Sequence, residues 1–141
     1  TIDEAFYDLR CLFRYIKLYL NDTGLLLYLY GPETKLAILN NTLKGNAKGG
    51  IYENIISESL LKRGYKLYYY KTQNSSMEIE FVIEKNGEVI PIEVKAGNDS
   101  TPSLNSFINK YHPKVSYKFV NGNVGFLDGK KTLPHYMVMF I

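Results

Sequence analysis

Phe81-Val82-Ile83-Glu84-Lys85-Asn86-Gly87-Glu88-Val89-Ile90-Pro91 reads as two alternating strands joined by an Asn-Gly turn. That dipeptide is the strongest short-range hairpin signal, because a type I′ turn needs positive φ at both central residues. With Asn86 and Gly87 as the turn, the register follows. Lys85 faces Glu88, Ile83 faces Ile90, Phe81 faces Ile92 and Ile79 faces Val94. All of Ile79, Phe81, Ile83, Ile90, Ile92 and Val94 are large and apolar, so they are expected on one buried face. The other face pairs Val82 with Pro91, Glu80 with Glu93 and Glu78 with Lys95. Pro91 falls at a non-hydrogen-bonded pair, where its missing N–H costs this partner nothing.

Glu80 and Glu93 are thus expected directly across from each other, with Cβ atoms about 4.5–5.5 Å apart. Like charges in that position destabilise the pair unless something positive lies between them. A divalent cation would resolve the conflict. Mg²⁺, or Mn²⁺ in its place, takes hard oxygen ligands and is commonly held by one or two carboxylates plus waters and phosphate. Glu80 and Glu93 are the candidate metal ligands. Lys95 projects from the same face, where its ammonium would polarise a phosphate oxygen or help deprotonate a metal-bound water. The competing reading is an ordinary amphipathic hairpin, whose wet face carries a Glu78–Lys95 ion pair.

Outward from the hairpin, Tyr52 to Arg63 has the apolar spacing of a helix (Tyr52, Ile55, Ile56, Leu60, Leu61), with Gly64 as its stop. Glu53 is expected in its first turn, where a carboxylate suits the dipole. Lys66 to Thr72, Glu78 to Ile83 and Glu88 to Lys95 read as strands, and Ser103 to Tyr111 as a helix with Leu104, Phe107 and Ile108 on one face. Val115 to Val120 and Val124 to Leu127 are further strands. Earlier in the chain, Tyr15 to Leu20 is a candidate strand. Leu25 to Tyr30 is a short helix capped by Asp22 or Thr23 and ended by Gly31-Pro32. Asn40 to Gly50, rich in Asn and Gly, is the candidate linker. The order of elements gives an α/β fold, a mixed β-sheet flanked by helices. The chain divides into an N-terminal connector, residues 1–48, and a domain over residues 49–141.

The 141 residues suit about one domain, at 45% hydrophobic and 22% charged. The longest uncharged apolar run, Gly24 to Tyr30, is far short of the ~18 residues of a membrane span. The lone Cys11 makes neither an internal disulfide nor a thiolate metal site. The opening residues resemble mid-protein sequence, so a stretch of a longer cytoplasmic protein is expected. A net charge of +3 permits a nucleic-acid partner without arguing for one.

Other residues weigh less. Gln73 ends a strand before the hairpin, with an amide free for water or phosphate or simply exposed. His112 and His135 lack a neighbouring nucleophile and read as surface or packing residues. Ser57 and Ser59 lack the G-x-S-x-G elbow of a serine hydrolase. Of Tyr68-Tyr69-Tyr70, at least one is expected in the core. Lys110, Lys114, Lys118, Lys130 and Lys131 form either a basic edge for phosphates or scattered surface charge.

Glu80, followed across a hairpin by Glu93-Val94-Lys95 and preceded by Glu53 on a helix, resembles the PD-(D/E)xK nuclease superfamily. More closely, the chain is similar to an uncharacterised C-terminal domain that follows the ATPase module in many prokaryotic AAA-type ATPases. The matching segments are Lys17 to Leu26, Tyr52-Glu53-Asn54-Ile55-Ile56, Glu78 to Ile83, Pro91 to Gly97, Ser103-Leu104 and Leu133-Pro134, most of the chain from Lys17 onward. The resemblance implies a restriction-endonuclease-like core. Glu80 and Glu93 would hold the metal, Lys95 would act on the scissile phosphate or the water, and Glu53 would support the site. The family usually has Asp where this chain has Glu80, a longer arm. Gly45 to Gly50 lacks the G-x-x-x-x-G-K-[ST] phosphate loop, so ATP and any ATPase activity would belong to an upstream domain. Three functions follow as expectations: a Mg²⁺-dependent DNA phosphodiesterase, a non-catalytic DNA- or protein-binding accessory domain of the ATPase, or a purely structural module.

Overall fold

The Asn86-Gly87 turn carries the positive φ values expected of it, 54° and 76°. The strands on either side pair in the expected register, from Lys85↔Glu88 through Ile83↔Ile90 to Phe81↔Ile92. The computed structural model describes residues 17–72, 77–97 and 100–141. The expectations placed on Cys11, Gln73 and the start of the strand Tyr15 to Leu20 lie outside these residues.

Three helices come first: α1 (Thr23–Tyr30), α2 (Pro32–Leu39) and α3 (Gly45–Lys62). The hairpin strands β2 (Glu78–Lys85) and β3 (Glu88–Val94) follow β1 (Tyr68–Lys71). Then come α4 (Pro102–Tyr111), β4 (Ser116–Val120), β5 (Gly125–Leu127), β6 (Lys130–Pro134) and a 3₁₀ helix (His135–Phe140). The strands form one mixed sheet in the order β1-β2-β3-β4-β6-β5. β2 runs antiparallel to both β1 and β3, while β3, β4 and β6 are parallel, and β5 closes one edge antiparallel to β6. The expected α/β class, a mixed sheet flanked by helices, is the observed one.

Each face of the sheet is covered by one helix. Ile56 and Leu60 of α3 pack on Phe81, Ile83, Ile90, Ile92 and Val94, joined by Tyr117 and Phe119 of β4 and Leu133 of β6. Leu104 and Phe107 of α4 pack with Tyr70, Ile79, Val82 and Val89 in a second cluster. Leu104 and Phe107 repeat at helical spacing, as the sequence indicated. Tyr70 is the strand tyrosine that reaches the core, edge-on to Phe107.

Five of the six apolar hairpin residues share the α3 face; Ile79 does not. The cause is a β-bulge. Tyr68 and Tyr70 of β1 oppose Val82 and Ile79, so β2 carries one extra residue between its paired positions. An extra residue breaks the two-residue alternation and sends everything beyond it to the opposite face. The insertion falls at Glu80-Phe81. The pairing with β3 also stops at Phe81↔Ile92, although both strands continue, so Glu80 and Glu93 are not cross-strand ladder partners.

Three further expectations are corrected. Gly45 to Gly50 is not linker but the first turns of α3. Ile51 and Ile56 are buried, and packing of this helix outweighs the poor propensity of its glycines. Glu53 is consequently mid-helix rather than in a first turn, and the dipole argument for it lapses. Lys17 to Leu20 is irregular backbone, not strand. The reason is that side chains satisfy it: Asn54, almost fully buried on α3, accepts from the Leu20 N–H (2.8 Å) and donates to the Leu20 carbonyl (3.0 Å) and Thr23 Oγ1 (3.0 Å). Glu58 accepts from the Thr23 N–H and hydroxyl.

Asn54→Ala removes three hydrogen bonds that tie this segment to α3 and is expected to cost about 2–3 kcal/mol. Urea unfolding should show the lower midpoint, with amide exchange at Leu20 faster than in the wild type; an unchanged midpoint would contradict the clamp.

Candidate functional site

Where β2 and β3 part, side chains take over from the ladder. The Val94 N–H donates to Glu80 Oε2 at 3.4 Å. Lys95 is the first residue past β3, and its N–H donates to the Phe119 carbonyl of β4 at 2.9 Å. This leaves the Lys95 side chain between two carboxylates, 2.6 Å from Glu93 Oε1 and 3.4 Å from Glu80 Oε1. Glu93 is 2% exposed and Glu80 8%, whereas the Lys95 side chain keeps 27% of its surface. Lys95 is therefore the most exposed member of the cluster.

Two carboxylates against one ammonium leave a negative charge uncompensated in a buried place, which is costly. Glu80 bears that cost. Burial first, and the Glu93 charge second, push its carboxyl up to about 7, with Lys95 offsetting only part of the rise. Burial also works against the charge of Lys95, but the bonds to Glu93 and Glu80 outweigh it and raise its pKa. Glu93 Oε2 is buried and has no hydrogen-bond partner among the described residues. Buried carboxylate oxygens are normally satisfied, so an orphan of this kind needs an explanation.

A second cluster lies alongside. Glu53 Oε2 accepts from the Tyr19 hydroxyl at 3.0 Å and pairs with Lys17 at 3.5 Å. Lys17 also reaches Glu78 Oε1 at 3.0 Å, and Lys71 holds the other Glu78 oxygen at 3.1 Å. Burial opposes the Glu78 charge, but bonds from Tyr69, Lys17 and Lys71 hold its pKa down at about 2. The expected Glu78–Lys95 pair is therefore replaced, because the bulge shifts Glu78 out of register with Lys95. The Tyr19 ring packs on Phe81 with centroids 5.2 Å apart, so it spans the space between Glu53 and the bulge. Burial and Glu53 raise its phenol pKa. A cavity of about 280 Å³ opens beside Lys17, Tyr19 and Glu53.

Of the residues singled out from the sequence, Glu80, Glu93 and Lys95 thus form one ion-paired cluster, and Glu53 anchors the adjoining one. Among the described residues no three of His, Cys, Asp and Glu converge as a ready-made metal cage. Two carboxylates remain, the number that suits Mg²⁺ completed by water or phosphate. Lys118 is buried on β4 in register with Glu93, Lys114 pairs with Glu88, Lys130 bonds Asn105, and Lys110 and Lys131 lie over tyrosine rings. His112 ends α4 in the left-handed conformation, φ 49°, a structural use. His135, read from sequence as a surface or packing residue, stacks on Tyr52 and also meets the Lys95 carbonyl through Nε2 at 2.9 Å. Tyr19 and Lys17 were also not singled out. No short-range pattern marks them, since each reaches Glu53 across more than thirty residues of chain.

The family model described as "Domain of unknown function (DUF4143)" matches residues 48–136. Among curated relatives, the uncharacterised protein Mb2031c of Mycobacterium bovis is 34% identical over 90 residues, covering 62% of this chain. The uncharacterised protein Rv2008c of Mycobacterium tuberculosis matches with the same identity and coverage. The match spans 19% of each of these relatives, about a fifth of their length. No solved structure matches this chain. The expected likeness to an uncharacterised domain family is met.

The raised pKa of Glu80 makes a stability prediction. A carboxyl moved up from 4.5 to about 7 on folding favours the fold while protonated; that contribution is full below about pH 4.5 and lost as pH rises through about 7. Glu80→Gln, neutral at every pH, is expected to be about 2 kcal/mol more stable than the wild type above pH 7, the gap closing towards pH 4.5. Urea unfolding across pH 4–8 reads this directly, and a gap that does not vary with pH would refute it.

Proposed function

This chain belongs to the DUF4143 family, and on that premise we propose that it is a divalent-cation-dependent DNA phosphodiesterase of the PD-(D/E)xK type, C-terminal to an AAA-type ATPase module in a cytoplasmic protein. The observation that carries the reading is the cluster at the parting of β2 and β3: Glu80 and Glu93 flanking Lys95, with Glu93 Oε2 buried and without a hydrogen-bond partner among the described residues. An acceptor oxygen without a donor, beside a second carboxylate, is a donor set for a hard cation.

Glu80 and Glu93 would hold that ion, Mg²⁺ or Mn²⁺. When bound, it supplies Lewis-acid polarisation at a phosphate oxygen. The remaining work falls to the chain. Lys95, the most exposed member of the cluster, meets the phosphodiester first and neutralises charge building on its oxygens. Glu53, fixed by Tyr19 and Lys17, walls the site on the α3 side.

One observation favours the second reading, an accessory domain without catalysis. The Lys95 ammonium lies between the two carboxylates, in the place a cation would compete for. The two readings separate in calorimetric titrations of Mn²⁺ and Mg²⁺. The phosphodiesterase reading expects wild-type binding, weakened about tenfold or more in Glu93→Gln. It expects Lys95→Met to bind the ion at least as tightly while losing about 10²-fold or more of DNA cleavage. Wild-type protein that takes up neither ion, and cleaves no linear or branched DNA, would leave the accessory reading standing.

A further inference from the structure

We propose that His135 is a positioning residue for Lys95, fixing the main chain from which the ammonium is presented; this rests on the phosphodiesterase reading of the site. Lys95 lies one residue beyond β3, so its carbonyl has no place in the strand ladder. Its N–H is held by the Phe119 carbonyl at 2.9 Å. Its own carbonyl is 2.9 Å from His135 Nε2. A carbonyl only accepts, so Nε2 carries the proton and donates. Both main-chain polar groups of Lys95 are thereby tied down, one by β4 and the other by the residue that follows β6.

The placement of His135 is itself over-determined. β3, β4 and β6 are parallel and end together, at Val94, Val120 and Pro134, with Val120 paired to Pro134. His135 is therefore delivered to the edge of the sheet where Lys95 emerges. Its ring stacks on Tyr52 of α3, centroids 4.1 Å apart and planes 19° from parallel. Tyr52 precedes Glu53, so one imidazole spans the helix that carries Glu53 and the strand end that carries Lys95. Burial lowers the pKa of the ring and keeps it neutral at pH 7. A neutral Nε2–H donor brings no second positive charge to compete with Lys95 for Glu80 and Glu93.

Three variants separate the hydrogen bond from the stacking. His135→Phe keeps an aromatic ring against Tyr52 and deletes the donor. His135→Gln restores an N–H near the Nε2 position. His135→Ala removes both. If His135 positions Lys95, His135→Phe lowers kcat for DNA cleavage about tenfold with KM and Mn²⁺ affinity unchanged, and His135→Gln recovers most of the loss. A second readout needs no catalysis. Acylation of each lysine by an amine-reactive reagent, followed by peptide mass spectrometry, reports how well the carboxylates hold Lys95. Relative to exposed Lys35, Lys95 should react about threefold faster in His135→Phe and return to the wild-type rate in His135→Gln. If the wild type neither binds Mn²⁺ nor cleaves DNA, the phosphodiesterase reading falls, and the acylation rates still decide the positioning role. Unchanged Lys95 acylation in both His135→Phe and His135→Ala, with Tm preserved, would overturn it.

Discussion

The Lys95 ammonium, set between two buried carboxylates, is the interaction on which this end of the molecule depends. Without it Glu80 and Glu93 would lie together in a dry place without the ammonium that offsets them, an arrangement that destabilises by several kcal/mol. With it the cluster holds together but is not neutral, and Glu80 takes up the imbalance by binding its proton more tightly. Strand geometry creates the problem. A bulge at Glu80-Phe81 and the end of pairing at Phe81↔Ile92 open a gap between two strands that remain extended on either side. Bulges re-aim side chains in this way and are common beside active sites. Here the Glu80 carboxylate, not a backbone carbonyl, receives the Val94 N–H.

The surrounding fold is arranged around that gap. α3 supplies the apolar floor through Ile56 and Leu60 and, on the same helix, Glu53 and the buried Asn54. Asn54 in turn fixes Leu20 and Thr23, so that Lys17 and Tyr19 lie over Glu53 and Phe81. The parallel trio β3, β4 and β6 brings three strand ends to one edge. A parallel arrangement is what lets residues from distant parts of the chain, Lys95 and His135, meet at their carbonyl and imidazole.

What the sequence disclosed follows from the range of the forces involved. The hairpin register was legible because a two-residue turn with positive φ at Asn86 and Gly87 dictates it locally. The face of Ile79 was not, because the bulge is set by pairing with β1, which no local alternation records. The start of α3 was misread for a related reason. Gly45, Gly49 and Gly50 weaken a helix in isolation, and tertiary packing of the following turns overrides them. The strand at Lys130–Pro134 escaped notice because Lys130-Lys131-Thr132 lacks an apolar alternation; its register comes from β4 on one side and β5 on the other. For the site, residue types and spacing put Glu80, Glu93 and Lys95 together. The partners Tyr19, Lys17 and His135 needed the fold.

The charge balance also constrains how any phosphate could approach. A phosphodiester brings a further negative charge to a cluster that sets two carboxyls against one ammonium, and Lys95 is committed to both of them. Coulomb repulsion at such separations, in a partly buried site, is worth several kcal/mol. On the proposed reading, extra positive charge must therefore arrive before or with the nucleic acid, and it must be a compact ion that fits between oxygens. The same logic explains why Glu80 is held near neutrality while Glu93 keeps an oxygen without a donor. The cluster as built tolerates one more positive charge far better than one more negative one. A buried network of this kind adds little to stability, since apolar residues of similar volume would serve the fold as well or better. Its presence where the pairing of β2 and β3 ends is the departure from good packing that the proposed reading takes as the mark of a functional site.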